Sequence, residues 1–156
     1  MSDLIGFLLG LIASIPPAYD DYKDYLVNDL SWLLYPLFIA YIFFTYNTEN
    51  FYLDVLVDFM LFVAISISFY LINRILGEEF GEADVILFFI LIFYEPIINI
   101  GLGIPDYFII IIVQNVIGIL YVLYKYFLTK KIIKIPLVAM TPFSITTLFL
   151  LTILGI

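Results

Sequence analysis

Long apolar runs separated by short polar connections constrain this chain more than any other feature. A helix needs about 20 apolar residues to cross a bilayer. Six stretches approach that length: Leu4–Ala18, Leu30–Tyr46, Asp54–Ile75, Asp84–Asn99, Tyr107–Leu128 and Pro136–Ile156. The connections between them are too brief to house a soluble domain. Of the 156 residues, 65% are hydrophobic and 13% charged, whereas a soluble domain averages about 45–50% and about 25%. A globule of this size cannot bury so much apolar surface. The expected fold is therefore all-α, a single polytopic membrane domain over residues 1–156 with six transmembrane helices, and lipid is its first partner. A soluble enzyme and a disordered chain are excluded.

The first run does not read as a cleaved signal. Asp3 stands where a basic n-region would be, and Ser14-Ile15-Pro16-Pro17 offers no small-x-small cleavage site. It is expected to remain as a helix, distorted near its two prolines. The six cations, Lys23, Arg74, Lys125, Lys130, Lys131 and Lys134, all fall in or beside connections on one side of a six-span arrangement. The positive-inside rule makes that side cytoplasmic and places both termini outside.

The side-chain inventory narrows the chemistry. With no cysteine there is no thiolate metal site, disulfide or cysteine nucleophile. With no histidine there is no Ser-His triad and no imidazole zinc ligand. A formal charge of −8 argues against a nucleic-acid partner. No phosphate loop, nucleotide fingerprint or metal-ligand spacing occurs, so no cofactor is expected. Carboxylates are the remaining tools.

The acids are unevenly placed. Asp20, Asp21, Asp24 and Asp29 follow the first run, and Glu78, Glu79, Glu82 and Asp84 precede the fourth. These eight share the cytoplasmic side with Lys23 and Arg74 between them. Asp3, Glu49, Asp54, Asp58, Glu95 and Asp106 lie toward the other side. Most charged side chains at such positions are simply solvated. Two differ in context. The first run spans only about 22 Å as a helix, and extending it by a turn draws Asp20 and Asp21 to the membrane boundary. Asp84 stands directly before the apolar run Val85–Phe93, after Gly81 and Ala83, whose small size lets another backbone approach. Two acids from different helices at one boundary suit a carboxylate pair. One stays protonated while the other is ionised, so one activates water and the other donates to a scissile carbonyl.

The residues carry a resemblance. Asp21-Tyr22-Lys23-Asp24-Tyr25-Leu26-Val27-Asn28-Asp29 resembles the Asp-x-Lys/Arg-x-x-x-Ile/Val-x-Asn/Asp signature of type IV prepilin peptidases, which follows their first span. Gly81-Glu82-Ala83-Asp84-Val85 is similar to that family's Gly-x-Gly-Asp motif, with Ala83 at the second glycine and Ile86 where a lysine often follows. Ile135-Pro136 and Pro142-Phe143 resemble its proline-phenylalanine segment before the last helix. The small size and lack of a methylation domain look most like the archaeal branch, which includes the six-span preflagellin peptidases. The resemblance implies a membrane aspartyl endopeptidase with Asp21 and Asp84 as the catalytic dyad. It would remove short leaders from prepilin or preflagellin precursors at the cytoplasmic face. Asp20 is the neighbouring alternative that misses the spacing to Lys23 and Val27. Lys23, Asp24, Gly81, Glu82 and Ala83 flank the dyad and are the expected substrate-contacting residues, and an acidic rim suits a basic leader.

Other features have plainer readings. Lys130, Lys131 and Lys134 are expected to anchor the cytoplasmic interface, and Trp32 to pack or sit at an interface. Asp54 and Asp58 share a helix face and are expected to line the outer end of the third span. Glu95-Pro96 marks the outer end of the fourth, and Gly118 permits close helix packing. Two other classes of function fit the composition, a small ion- or proton-coupled transporter and a non-catalytic membrane scaffold. No internal repeat of the transporter kind is visible.

Overall fold

The computed structural model describes residues 2–24, 26–46, 49–76, 81–98, 106–130 and 136–155. Tyr25, Glu78, Glu79, Asn99, Lys131, Lys134, Ile135 and Ile156, named above, lie outside the described residues, as do the side chains of Glu49 and Glu82. The described residues form helices and connecting turns and include no strand. Six α-helices follow in order: α1 Ser2–Asp24, α2 Tyr35–Thr45, α3 Glu49–Leu76, α4 Glu82–Leu91, α5 Asp106–Thr129 and α6 Thr141–Leu154. Three short 3-10 turns, Asp29–Trp32, Ile92–Tyr94 and Val138–Met140, adjoin α2, α4 and α6.

Three helices, within α1, α3 and α5, are long and apolar enough to cross a membrane. The other three apolar segments are shorter, Asp29–Thr45, Ala83–Tyr94 and Val138–Leu154. Each completes its length with a 3-10 turn rather than a regular α-helix. The boundaries expected from hydropathy shift accordingly. Helix α1 continues six residues past Ala18, and α3 starts five residues before Asp54. Hydropathy undercounts at both places because helices carry polar residues in their end turns. Helix α1 also runs through Pro16 and Pro17 without ending there.

Helix α1 packs against α2, α6 and the turns Asp29–Trp32 and Val138–Met140. Helix α4 and the turn after it contribute to the interior, with Leu87, Phe88, Leu91 and Ile92 all but fully buried. One face of α1, made by Leu4, Leu8, Ile12, Ile15, Tyr19 and Tyr22, remains exposed. These residues recur every three or four positions, as a stripe left for lipid does. The inner face makes its closest approach at Gly10. A Cβ there would stand 2.5 Å from the Tyr94 ring, and the Tyr94 hydroxyl donates to the Gly10 carbonyl at 2.7 Å. Gly10→Ala is therefore expected to destabilise the fold by about 1–3 kcal/mol, the range for overpacking a filled core. Thermal melts of the purified protein in detergent check this, and an unchanged midpoint would refute the close packing.

Contacts mark two ends of the bundle. At one end the Tyr46 hydroxyl bonds to Asp3, and Thr45, Asn50, Asp54, Glu95 and Asp106 surround a common pocket. At the other end lie the last turns of α1, the first turn of α4 and the Val138–Met140 turn.

Candidate active site

Asp21 is in the last turn of α1 and is only 8% exposed. Its Oδ2 accepts a hydrogen bond from the Ala139 N–H at 2.9 Å, and the Val138 N–H also points to the carboxylate. A 3-10 turn leaves its first N–H groups without backbone partners, so Val138–Met140 presents donors to a buried acid 118 residues away. This fixes the Asp21 carboxylate rather than leaving it free in solvent.

Asp84 occupies the third position of α4, whose N-cap is Gly81. The Asp84 N–H donates to the Gly81 carbonyl at 3.1 Å, and the Asp84 carboxylate accepts from the Gly81 N–H. An acid three residues after a helix cap reaching back to the cap N–H is half of a capping box. Gly81 is needed for closeness rather than for an unusual backbone, since its φ is −72°. A Cβ there would lie 3.3 Å from Asp84 Oδ2. Ala83 is half-buried and packs against the core.

Asp21 and Asp84 lie toward the same end of the bundle. The Val138–Met140 turn touches both α1 and α4, and the Asp84 carboxyl feels the charge of Asp21. Chain positions 63 residues apart thus contribute two carboxyl groups to one partly buried site. Asp20 points elsewhere. Its Oδ2 accepts from the Asn28 N–H at 3.2 Å and from the Ser31 hydroxyl. Asp20 therefore ties the segment after α1 back to the helix. Lys23 and Asp24 are exposed and pair with each other at 3.8 Å. Asp24 also lines an open recess with Asp20, Leu26, Val27 and Asn28. Glu82 lies in the first turn of α4.

An apolar groove of about 750 Å³ runs beside this site. Ile15, Ala18, Tyr19 and Tyr22 form one wall, and Tyr121, Tyr124, Met140, Pro142 and Phe143 stand among the residues opposite. Ala139 lines the groove and its N–H also holds Asp21, so the groove passes beside the turn that supports that carboxylate.

Gln114 is uncharged and belongs to none of the sequence motifs. This fully buried side chain of α5 donates through Nε2 to the Leu137 carbonyl and to Thr141 Oγ1, the latter at 3.0 Å. Its Oε1 accepts from the Ser144 hydroxyl, which also donates to the Met140 carbonyl at 2.8 Å. Gln114 thereby fastens the turn that carries the Ala139 N–H. The signal in the sequence was an amide interrupting an apolar run, since a polar side chain inside a membrane helix normally bonds across to a neighbour.

Among the described residues no group of three or more acids is arranged to hold a metal ion. No protein-family model, curated protein or solved structure matches this chain.

Proposed function

We propose that this protein is a membrane aspartyl endopeptidase that removes short basic leaders from prepilin- or preflagellin-like precursors, with Asp21 and Asp84 as its catalytic pair. The observation that carries this reading is the convergence of Asp21 and Asp84, the two acids matched to the family's motifs, at one end of the bundle. In this reading one carboxylate takes a proton from water as it attacks the scissile carbonyl. The other carboxyl, protonated, donates to the carbonyl oxygen. The proton held between them returns to the leaving amine.

The remaining parts have matching roles. The precursor's apolar segment lies in the groove bounded by Tyr19, Tyr22, Tyr121 and Phe143. The scissile bond then falls beside Asp21. Ala83 and Gly81 leave room for the substrate backbone next to Asp84. Lys23, Asp24 and Glu82 form the polar rim around the leader. All six apolar segments cross the membrane, the three shorter ones with help from their 3-10 turns. Lys130, exposed at the end of α5, belongs to the cation set that marks the cytoplasmic side. The site then faces the cytoplasm and both termini lie outside.

Co-expression with a prepilin-like precursor carrying a basic leader tests the proposal. A shift on a gel reports leader removal. Cleavage by the parent chain is expected, with a fall of about 3–10-fold when Asp24, Glu78 and Glu79 are neutralised together, because an acidic rim raises the capture rate of a basic segment. Failure of the parent to cleave any precursor with a basic leader and apolar segment would favour a scaffold or transporter instead.

A further inference from the structure

The end of the bundle opposite Asp21 and Asp84 holds a second carboxyl pair that the proposed peptidase chemistry does not use. Asp58 stands on α3, one turn beyond Asp54, and Glu95 directly follows the Ile92–Tyr94 turn. The two side chains are within hydrogen-bonding reach of each other. Asp58 is 1% exposed, and neither of its oxygens accepts from an N–H or a hydroxyl. Glu95 is half-buried and lines a pocket of about 330 Å³ with Asp54 and Asp106. Asp58 is not part of that lining, so Glu95 is the member of the pair that solvent reaches. The charges facing the pair are of one sign, Asp54 on α3 and Asp106 on α5. Tyr107 of α5 is also near Asp58, but its hydroxyl donates to the Phe88 carbonyl at 3.0 Å. Tyr46 of α2, in the pocket wall, bonds to Asp3. The acids of α4, Glu82 and Asp84, stand in its first turn at the far end. The described cations, Lys23, Arg74, Lys125 and Lys130, belong to the C-terminal parts of α1, α3 and α5 or lie just beyond, also at the far end.

Two touching carboxyls, one of them enclosed and neither with a counter-charge, do not both ionise in such a place. A single proton between them removes one charge and supplies the donor that Asp58 lacks, in a charge-assisted hydrogen bond. We propose that Asp58 and Glu95 share one proton and that this proton latches α3 to the core. Helix α3 leaves most of its large side chains exposed and rests mainly on α4 and the Ile92–Tyr94 turn. The pair joins α3 to the residue after that turn, so it sits where the helix is attached. Loss of the proton, through Glu95 and the pocket, sets two negative charges against each other with Asp54 and Asp106 alongside. The contact that held α3 then repels it. The folded chain thus carries a proton at neutral pH that the unfolded chain, with both carboxyls solvated and ionised, does not. Stability falls as pH rises wherever the folded state holds more protons. The chain has no histidine or cysteine, so ordinary side chains are silent between the carboxylate and tyrosine ranges and the latch has the neutral range largely to itself.

The test uses the full chain in detergent at matched ionic strength. Thermal melts are recorded from mildly acidic to mildly alkaline pH, with infrared spectra of the same samples at neutral pH. The parent midpoint is expected to fall as pH rises, by up to about 4 °C per pH unit, the limit for one proton in a chain of this size. The fall is expected equally in Asp84→Asn, in which the other carboxyl pair is removed. Asp58→Asn puts an amide N–H in place of the shared proton, so Glu95 accepts from it at any pH. This variant is expected to lose most of the fall, together with the infrared carbonyl stretch of one un-ionised carboxyl. Glu95→Gln offers its own N–H to Asp58 and is likewise expected to lose most of the fall, which keeps the test decisive if Asp58→Asn folds poorly. A parent midpoint that ignores pH overturns the proposal, as does a fall that persists undiminished in Glu95→Gln. So does an Asp58→Asn spectrum that keeps all of the parent's un-ionised carboxyl signal. A fall abolished by Asp84→Asn would assign the pH response to the other carboxyl pair and overturns it too. None of these readings depends on whether leaders are cleaved.

Discussion

Asp21→Asn and Asp84→Asn are each expected to lower leader cleavage by about 100- to 10,000-fold, the range that a positioned acid or base contributes. Both amides keep the shape of the carboxyl, and both can still accept through their oxygen. Asp21→Asn can keep its bond from the Ala139 N–H, and Asp84→Asn can keep the one from Gly81. The fold is therefore expected to survive, and near-parental membrane insertion and melting midpoint should accompany the lost activity. Asp20→Asn supplies the contrast. Its carboxylate is engaged by Asn28 and Ser31, so cleavage is expected to stay within a few-fold of the parent. Retained cleavage in either Asp21→Asn or Asp84→Asn, or equal loss in Asp20→Asn, would remove the paired-carboxyl mechanism.

Gln114→Leu is expected to produce the next largest effect, through position rather than chemistry. Leucine matches the volume but strips the Leu137 carbonyl and Thr141 of their donor and Ser144 of one acceptor. Buried groups left unpaired cost about 1–3 kcal/mol. The same change loosens the turn whose Ala139 N–H holds Asp21. A displacement of about 1 Å at a reacting group can cost on the order of 100-fold in rate. The fall is expected in kcat, with KM much less changed, because the groove is walled mainly by α1 and by aromatic residues of α5 and α6. Gly10→Ala separates this from mere instability. It should lower the melting midpoint by a similar amount while leaving kcat near the parent, since Gly10 contacts Tyr94 and not the carboxylates. Equal kcat losses in the two variants would reduce Gln114 to a packing residue.

Different parts of the molecule were legible to different degrees. Helical class followed from apolar run length, because hydrocarbon solvent leaves backbone groups no partner outside a helix or closed barrel. Element ends were less legible. The apolar run stops at Ala18, and the helix extension expected to reach Asp20 and Asp21 continues as far as Asp24. Charges at a helix C-terminus depress hydropathy without interrupting the hydrogen-bond ladder. The segments before α2 and α6 read as plain helix, but the chain enters them through 3-10 turns. Pro36 and Pro142, near the start of each helix, mark where regular α-helix becomes possible.

The site divided in the same way. Motif spacing drew attention to Asp21 and Asp84, which the fold brings to one end, and it separated Asp21 from Asp20 before the Ser31 bond supplied the physical reason. What spacing could not supply was the third element. Ala139 bears no functional side chain, and its contribution is a backbone N–H in a turn 118 residues from its acceptor. No residue type announces such a donor. Asp58 was expected to line the outer end of the third span with Asp54, and it lies one turn beyond Asp54, more than two turns inside α3, with its carboxylate enclosed. Its depth was hidden by a hydropathy boundary at Asp54, since the helix begins at Glu49.

The unbroken course of α1 through Pro16 and Pro17 has one more consequence. Proline brings no N–H, so the carbonyls of Ile12 and Ala13 cannot receive their usual bonds from four residues ahead. The ladder of α1 is thus missing two rungs about one turn short of Asp21. A rod weakened at one place bends there first, and helices bend where such bonds are absent. The N-terminal length of α1, seated by Gly10 on Tyr94, behaves as a fixed post. The last two turns, with Asp20 and Asp21, behave as a jointed tip. The stiffness of the carboxylate's support is then set by what grips that tip from the side, the Ala139 N–H and the Asp20 bonds to Asn28 and Ser31, and less by the helix that carries it.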